Sequence, residues 1–193
     1  METLTIAYDE RYGIPIYTGH RMAKADFLQW KSDDNYVYEF NDGVLEPTTG
    51  MRQDEVLLFK RLNRHFAQTN AYRLGGELLA EVDVWLTQKQ MRRPDAAFYS
   101  VEQIDQLANH TQVVPSFAIE FASVSDNEHT SITKRHEYFD AGVQVVWWVY
   151  PDFKEVHVYT SPKTVTICTD DDVMSAAPAL AEFQMTVREL FRK

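Results

Sequence analysis

A strand that is apolar on both faces must be covered on both faces, and this chain carries one. From Val143 to Tyr150 it reads Val-Gln-Val-Val-Trp-Trp-Val-Tyr, a run with a single polar member. Successive side chains of a strand point to opposite sides of the sheet, so Trp147 and Trp148 each need an apolar layer of their own. The run is far below the roughly 20 residues that a membrane span requires. An interface would also cover such a strand, but a central position in a sheet is the simpler reading. The predicted fold class is therefore α/β, a mixed β-sheet flanked by helices.

The rest of the chain supplies such layers. A short helix is expected over Ala23–Trp30. A hairpin is expected from Tyr36–Phe40 and Val44–Glu46 around the turn Asn41-Asp42-Gly43. Gln53–Gln68 is the clearest helix, with Val56, Phe59, Leu62 and Phe66 at helical spacing. Strands are predicted at Leu78–Leu86, Ala96–Tyr99 and Phe117–Ala122, with a helical stretch over Val101–Ala108. Thr130–Ala141 reads as a helix closed by Gly142, a suitable C-cap. Three further strands follow at Gln144–Tyr150, Lys154–Thr160 and Thr164–Thr169, then a terminal helix at Thr186–Phe191. No repeat and no Pro/Gly/Ser-rich linker divides the 193 residues, so one domain over 22–193 behind an N-terminal extension, 1–21, is the simplest organisation.

Composition narrows the setting. A single cysteine, Cys168, can form no internal disulfide, which favours a reducing, cytoplasmic compartment. Met1–Glu10 brings in acid and polar groups early, unlike a secretory signal. With 29 acidic against 19 basic residues, the net charge of -10 speaks against a general nucleic-acid binder, because phosphate contacts need Lys and Arg. The bases do cluster, at Lys60-Arg61 with Arg64, at Arg92-Arg93 and at Lys134-Arg135. Each cluster taken alone is also what a solvated face looks like.

The chain has no phosphate-binding glycine loop, no zinc-type Cys/His spacing and no serine elbow, and its six histidines are scattered. What remains is carboxylates in apolar settings. On the strand Phe117–Ala122, Phe117, Ile119 and Phe121 share one face, and Ala118, Glu120 and Ala122 the other. Glu120 thus projects between two alanines, and a carboxylate so placed needs a metal ion, a lysine or a surface arginine as partner. Asp95 stands at the mouth of the short strand Ala96–Tyr99, just after Pro94, where a turn aspartate is also common. If the two strands are neighbours, Asp95 and Glu120 converge. Two hard oxygen donors, completed by waters and a backbone carbonyl, suit Mg²⁺ or Mn²⁺. Arg92 and Arg93 would then flank a phosphate path. Lys134, at the start of the following helix and on one face with Tyr138, is placed to orient a water or neutralise charge, unless it merely pairs with Glu137 in solvent. Glu39, between Tyr38 and Phe40, is a further carboxylate in an apolar run or else a surface charge of the hairpin.

These residues, in this order, resemble the Uma-two family of endonucleases within the PD-(D/E)XK restriction-endonuclease-like superfamily. The segment Tyr38-Glu39-Phe40-Asn41-Asp42-Gly43 is similar to the family's hairpin, and Arg93-Pro94-Asp95-Ala96-Ala97 to its "RPDVA" strand. Ile119-Glu120-Phe121-Ala122-Ser123-Val124-Ser125 is similar to "VEVLSPS", and Lys134-Arg135-His136-Glu137-Tyr138 with Ala141-Gly142-Val143 to the helix and turn that follow. Pro178-Ala179-Leu180 and Glu189-Leu190-Phe191 resemble the closing segment, so the likeness runs from about Met22 to Phe191.

The resemblance implies a restriction endonuclease-like core that hydrolyses DNA phosphodiester bonds with Mg²⁺ or Mn²⁺. Asp95 would match the first acid of the motif and Glu120 the second, with the carbonyl of Phe121 as a further metal ligand. The motif's lysine normally falls where this chain has Ala122, and Lys134 matches the helical lysine that replaces it. Glu39 matches the additional acid of the hairpin, completing the metal shell or orienting Lys134. Three positions depart from the family: Gln53 stands where it often has His, Thr130 where it often has Asp, and Val124 where it usually has Pro. The first two leave open a catalytically silent nuclease fold used for DNA binding or protein association. The expected partners are DNA and a second copy of the chain, since a homodimer most easily cuts both strands of a duplex.

Overall fold

The computed structural model describes residues 13–122 and 127–192. The motif residues Ser123, Val124 and Ser125, and residues 1–12 of the N-terminal extension, lie outside the described residues.

In chain order the elements are α1 (Lys24–Phe27), β1 (Val37–Asn41), β2 (Val44–Thr48), α2 (Gln53–Phe66), α3 (Asn70–Arg73), β3 (Glu77–Ala80), β4 (Val84–Trp85), β5 (Gln90–Arg92), β6 (Ala96–Tyr99), α4 (Val101–Ala108), β7 (Phe117–Phe121), α5 (Glu128–Asp140), β8 (Val145–Tyr150), β9 (Glu155–Ser161), β10 (Thr164–Thr169), β11 (Val173–Ala176), β12 (Leu180–Thr186) and α6 (Val187–Phe191). The main sheet has six strands in the order β10-β9-β8-β7-β6-β3. Only β7 and β8 run parallel in it, with Glu120 beside Trp148. A parallel pair needs a crossover, and α5 provides it. A four-stranded antiparallel sheet, β2-β1-β5-β4, and the pair β11-β12 complete the described strands. The predicted class, a mixed sheet flanked by helices, is the one observed.

The doubly apolar strand sits where its pattern demands. Val145, Trp147 and Val149 of β8 face a core shared with Leu58, Leu62 and Phe66 of α2, while Val146 and Trp148 face a second core with Tyr138 of α5. Strand β7 follows the same division, with Phe117, Ile119 and Phe121 in the first core and Ala118 in the second. Glu120 therefore points to the α5 side. A third cluster, around Tyr36, Tyr38, Phe40, Leu45 and Met91, fills the small sheet. Residues 17–21 lie against this hairpin: the Tyr17 N–H donates to the Tyr38 hydroxyl (3.2 Å), and Arg21 bridges to Val44.

Several boundaries differ from the sequence expectation, each for a local reason. The expected strand Leu78–Leu86 is two strands in two sheets. Glu81 breaks it with a φ of 53°, a left-handed conformation that ends β3 and redirects the chain toward β4. The Glu81 N–H donates to the Asp95 carbonyl (3.2 Å) and its Oε1 accepts from the Met51 N–H (2.7 Å), which holds the break in place. In α2 the buried face is Glu55, Leu58, Leu62 and Phe66, whereas Val56 is 46% exposed. Helix α1 covers only the middle of Ala23–Trp30. Lys134 is not near the start of its helix, because α5 begins at Glu128 with Asn127 as N-cap. Strands β5, β11 and β12 are additions. Among the described residues, no helix is long and apolar enough to cross a membrane.

Candidate active site

The small sheet meets α5 and the ends of β6 and β7 at one buried, highly charged junction. Ala96 of β6 pairs with Ile119 of β7 in antiparallel register, so the next residues outward, Asp95 and Glu120, face one another across the two strands. Asp95 Oδ2 accepts the backbone N–H of Phe121 (2.7 Å). Within a strand a residue's N–H and C=O point to the same edge, so the Phe121 carbonyl lies on the Asp95 side. Burial pushes the Asp95 carboxyl well above its ordinary pKa, and the neighbouring Glu120 charge pushes it further. The Phe121 N–H and Lys134 oppose that rise without overcoming it.

Glu120 is 7% exposed, and its Oε1 accepts the hydroxyl of Tyr138 (2.5 Å). Tyr138 is completely buried on α5, one turn beyond Lys134. Burial and the carboxylates of Glu120 and Glu39 raise its pKa far above the usual phenol range, so it acts as a neutral donor. The Lys134 ammonium donates to Glu39 Oε1 (3.0 Å). Burial disfavours the lysine's charge, but Glu39 and Glu120 outweigh that and raise its pKa. Lys134 is thus a fixed cation.

Glu39, in the middle of β1, is 2% exposed. Its Oε1 also accepts the Arg93 N–H (2.8 Å), and its Oε2 accepts Arg92 Nη1 (2.9 Å). Burial opposes its charge, yet Lys134, Arg92 and the Arg93 N–H hold its pKa below the ordinary value. With three donors on its two oxygens, Glu39 is better placed to orient Lys134 than to ligate a cation. Four residues expected from sequence (Glu39, Asp95, Glu120 and Lys134), together with the backbone of Phe121, are therefore assembled at one junction.

Arg92 does not flank a phosphate path. It is 1% exposed and bonded to three carboxylates. Besides Glu39, it donates through Nε and Nη2 to Glu137 (2.7 and 3.1 Å) and through Nη1 to Glu46. Arg93 turns away and pairs with Asp83 (2.8 Å). Glu137 is accordingly a partner of Arg92 rather than the solvent partner of Lys134. The sequence reading put Arg92 on the rim of the site rather than inside it, and passed over Glu46. The available signal was an arginine next to the predicted site in a short alternating segment, Gln90-Met91-Arg92, that pairs with the hairpin. Of the family departures, Gln53 opens α2 and Thr130 is an exposed residue of the first turn of α5.

Asp95, Glu120 and the Phe121 carbonyl offer only hard oxygen donors, the chemistry Mg²⁺ and Mn²⁺ prefer. Two buried carboxylates that repel one another are also a place where a cation relieves an existing cost. Among the described residues, no group of three or more His, Cys, Asp or Glu side chains forms a metal cage. A site of two carboxylates therefore relies on backbone, water and substrate oxygens, as Mg²⁺ sites at phosphates commonly do.

A family model named Uma2, described as "Putative restriction endonuclease", matches residues 25–188. Among solved structures, the chain is similar to the crystal structure of "a putative nuclease belonging to DUF820" from Anabaena variabilis. The two superpose with a TM-score of 0.75 at 14% identity, covering 88% of this chain and 97% of that one. At such identity the likeness bears on the fold alone. No curated protein matches.

Proposed function

The chain belongs to the Uma2 family of restriction endonuclease-like proteins, and on that premise we propose that it is a metal-dependent endonuclease of the PD-(D/E)XK type that hydrolyses phosphodiester bonds in DNA. The observation that carries this reading is the convergence of Asp95 and Glu120 from adjacent strands, with the Lys134 ammonium close enough to act electrostatically on both. Asp95, Glu120 and the Phe121 carbonyl would hold Mg²⁺ or Mn²⁺. When bound, the ion lowers the pKa of a water and offsets charge on a phosphoryl oxygen.

The protein's own groups have separable tasks in this reading. Lys134 stays protonated and presents a fixed positive charge where negative charge builds on the phosphate. Glu39 fixes the direction of that ammonium through the 3.0 Å bond. Tyr138 holds Glu120 Oε1 in place by donation from its hydroxyl. Ala122, on the same face of the chain as Glu120, leaves space for the lysine to arrive from α5 rather than from β7. A homodimer would present two such sites to the two strands of a duplex.

Calorimetric titration with Mn²⁺ tests the metal site. The wild type is expected to bind the ion, with binding lost in Asp95→Ala and in Glu120→Gln. Undiminished binding in both variants would place the metal elsewhere and remove the basis of the reading.

A further inference from the structure

We propose that Arg92 is a positioning residue for Lys134, clamping at once the carboxylate to which the lysine donates and the helix that carries it. This rests on the reading of Lys134 as the residue that acts at the phosphate. Three observations carry it. Glu39 has two oxygens: Lys134 takes one (3.0 Å) and Arg92 Nη1 the other (2.9 Å), so Arg92 blocks rotation of the carboxylate away from the lysine. Arg92 also makes a two-point contact with Glu137, through Nε (2.7 Å) and Nη2 (3.1 Å). Glu137 lies three residues beyond Lys134 on α5 and hence on a neighbouring position of the helix surface. The guanidinium therefore fixes both ends of the Lys134–Glu39 bond relative to one rigid fork.

A closed ring of hydrogen bonds through two amides joins the Glu137 and Glu46 partners of that fork. Gln90 Nε2 donates to Glu137 Oε1 (3.0 Å) and to Asn41 Oδ1 (3.3 Å), and Asn41 Nδ2 donates to Glu46 Oε1 (2.9 Å). Glu46 accepts in turn from Arg92. The cations Arg92 and Lys134 stand against the anions Glu39, Glu46 and Glu137, so the two cations do not neutralise all three acids. Glu39 thus has no reason to release Lys134 while Arg92 remains. Only arginine fits this position: its planar fork reaches three carboxylates at fixed angles, whereas lysine is a single point charge.

The test uses the full chain with the substitutions Arg92→Lys and Glu137→Gln, each made alone and together with Lys134→Met. Glu137→Gln removes the charge and one acceptor on the helix side, affecting the contacts with Arg92 and Gln90 but not those with Glu39, and serves if Arg92→Lys fails to fold. The first readout is the ¹⁵N signal of the Lys134 ammonium, observable without any cleavage. A slow-exchanging signal is expected in the wild type, shifted and broadened in Arg92→Lys and in Glu137→Gln. An unchanged signal in both variants overturns the proposal. The second readout is single-turnover DNA cleavage with Mg²⁺. Each substitution is expected to slow the wild type by roughly ten- to a hundredfold, as seen when groups that orient a reactive centre are removed. In the Lys134→Met background it should slow cleavage by no more than about twofold. Equal losses in both backgrounds, with equal losses of thermal stability, would make Arg92 a structural ion pair only and also overturn the proposal. Absence of cleavage by the wild type would overturn the endonuclease reading instead, and the ammonium signal would still decide the role of Arg92.

Discussion

Asp95 and Glu39 sit in the same junction and burial raises the pKa of both, yet their different partners give opposite net shifts, and this separates function from stability. The pKa of Asp95 is raised in the folded protein by burial and by Glu120, so folding favours its protonated form. Its ionised form then costs stability at neutral pH, and the cost vanishes as pH falls below the ordinary carboxylate value of 3.8. Glu39 is depressed because Lys134, Arg92 and the Arg93 N–H outweigh its burial. Its contribution is present above the ordinary value of 4.5 and is lost as pH falls through the folded-state pKa. Asp95→Asn, whose amide oxygen can still accept the Phe121 N–H, should therefore melt higher than the wild type near neutral pH, with the two converging in acid. Glu39→Gln should melt lower near neutral pH and likewise converge. Thermal unfolding followed by circular dichroism across pH checks both signs. A stabilising Asp95→Asn is what a residue kept for chemistry rather than for folding shows. Glu120 and Glu39 stood out in the sequence because each lies within an apolar run, and Asp95 because it opens one after Pro94. The internal role of Arg92 was not legible, because its three carboxylate partners lie 53, 46 and 45 positions away and only pairing of β1 with β5 and packing of α5 bring them together.

At the level of elements, the sequence pattern was a good guide to several helices and strands. Helix α4 lies over Val101–Ala108 as expected, and α5, β6 and β8 fall within two residues of theirs. The misses share a physical cause. Leu78–Leu86 keeps an apolar rhythm through Glu81, but the left-handed turn there is held by Met51 and Asp95, contacts that no local pattern contains. Strands β4 and β5 are only two and three residues long, too short for alternation to register. In α2 the expected stripe was displaced by one position at its start, since the charged Glu55 is buried through its own capping contacts with Arg52 and Val56 is left in solvent. This displacement has an energetic signature. Leu62→Ala, at a position with no exposure, should cost about 2–5 kcal/mol in denaturant unfolding, whereas Val56→Ala should stay below about 1 kcal/mol. Comparable losses at the two positions would restore the original stripe.

For the molecule as a whole, the net charge of -10 takes on a different meaning once the junction is seen. Part of the negative charge is concentrated at Asp95 and Glu120, where a divalent cation would reverse the local sign. Of the basic clusters read from the sequence, Arg92 is internal and neutralises acids rather than phosphates, and Lys134 is held inside the junction by Glu39. Affinity for DNA without metal should therefore be weak and should rise clearly on adding Ca²⁺, which supports binding without requiring turnover. Fluorescence anisotropy with a labelled duplex, with and without the ion, measures this, and equal affinity in both conditions would show that binding does not pass through the junction. The most direct measurement is cleavage of supercoiled plasmid with Mg²⁺ or Mn²⁺ by the wild type beside an Asp95→Ala variant shown to be folded. Metal-dependent nicking or linearisation by the wild type, with none above background in the variant, is the expected result. Equal activity in the two proteins, or none in either, would contradict a catalytic centre at Asp95 and Glu120 and leave a silent nuclease fold in its place.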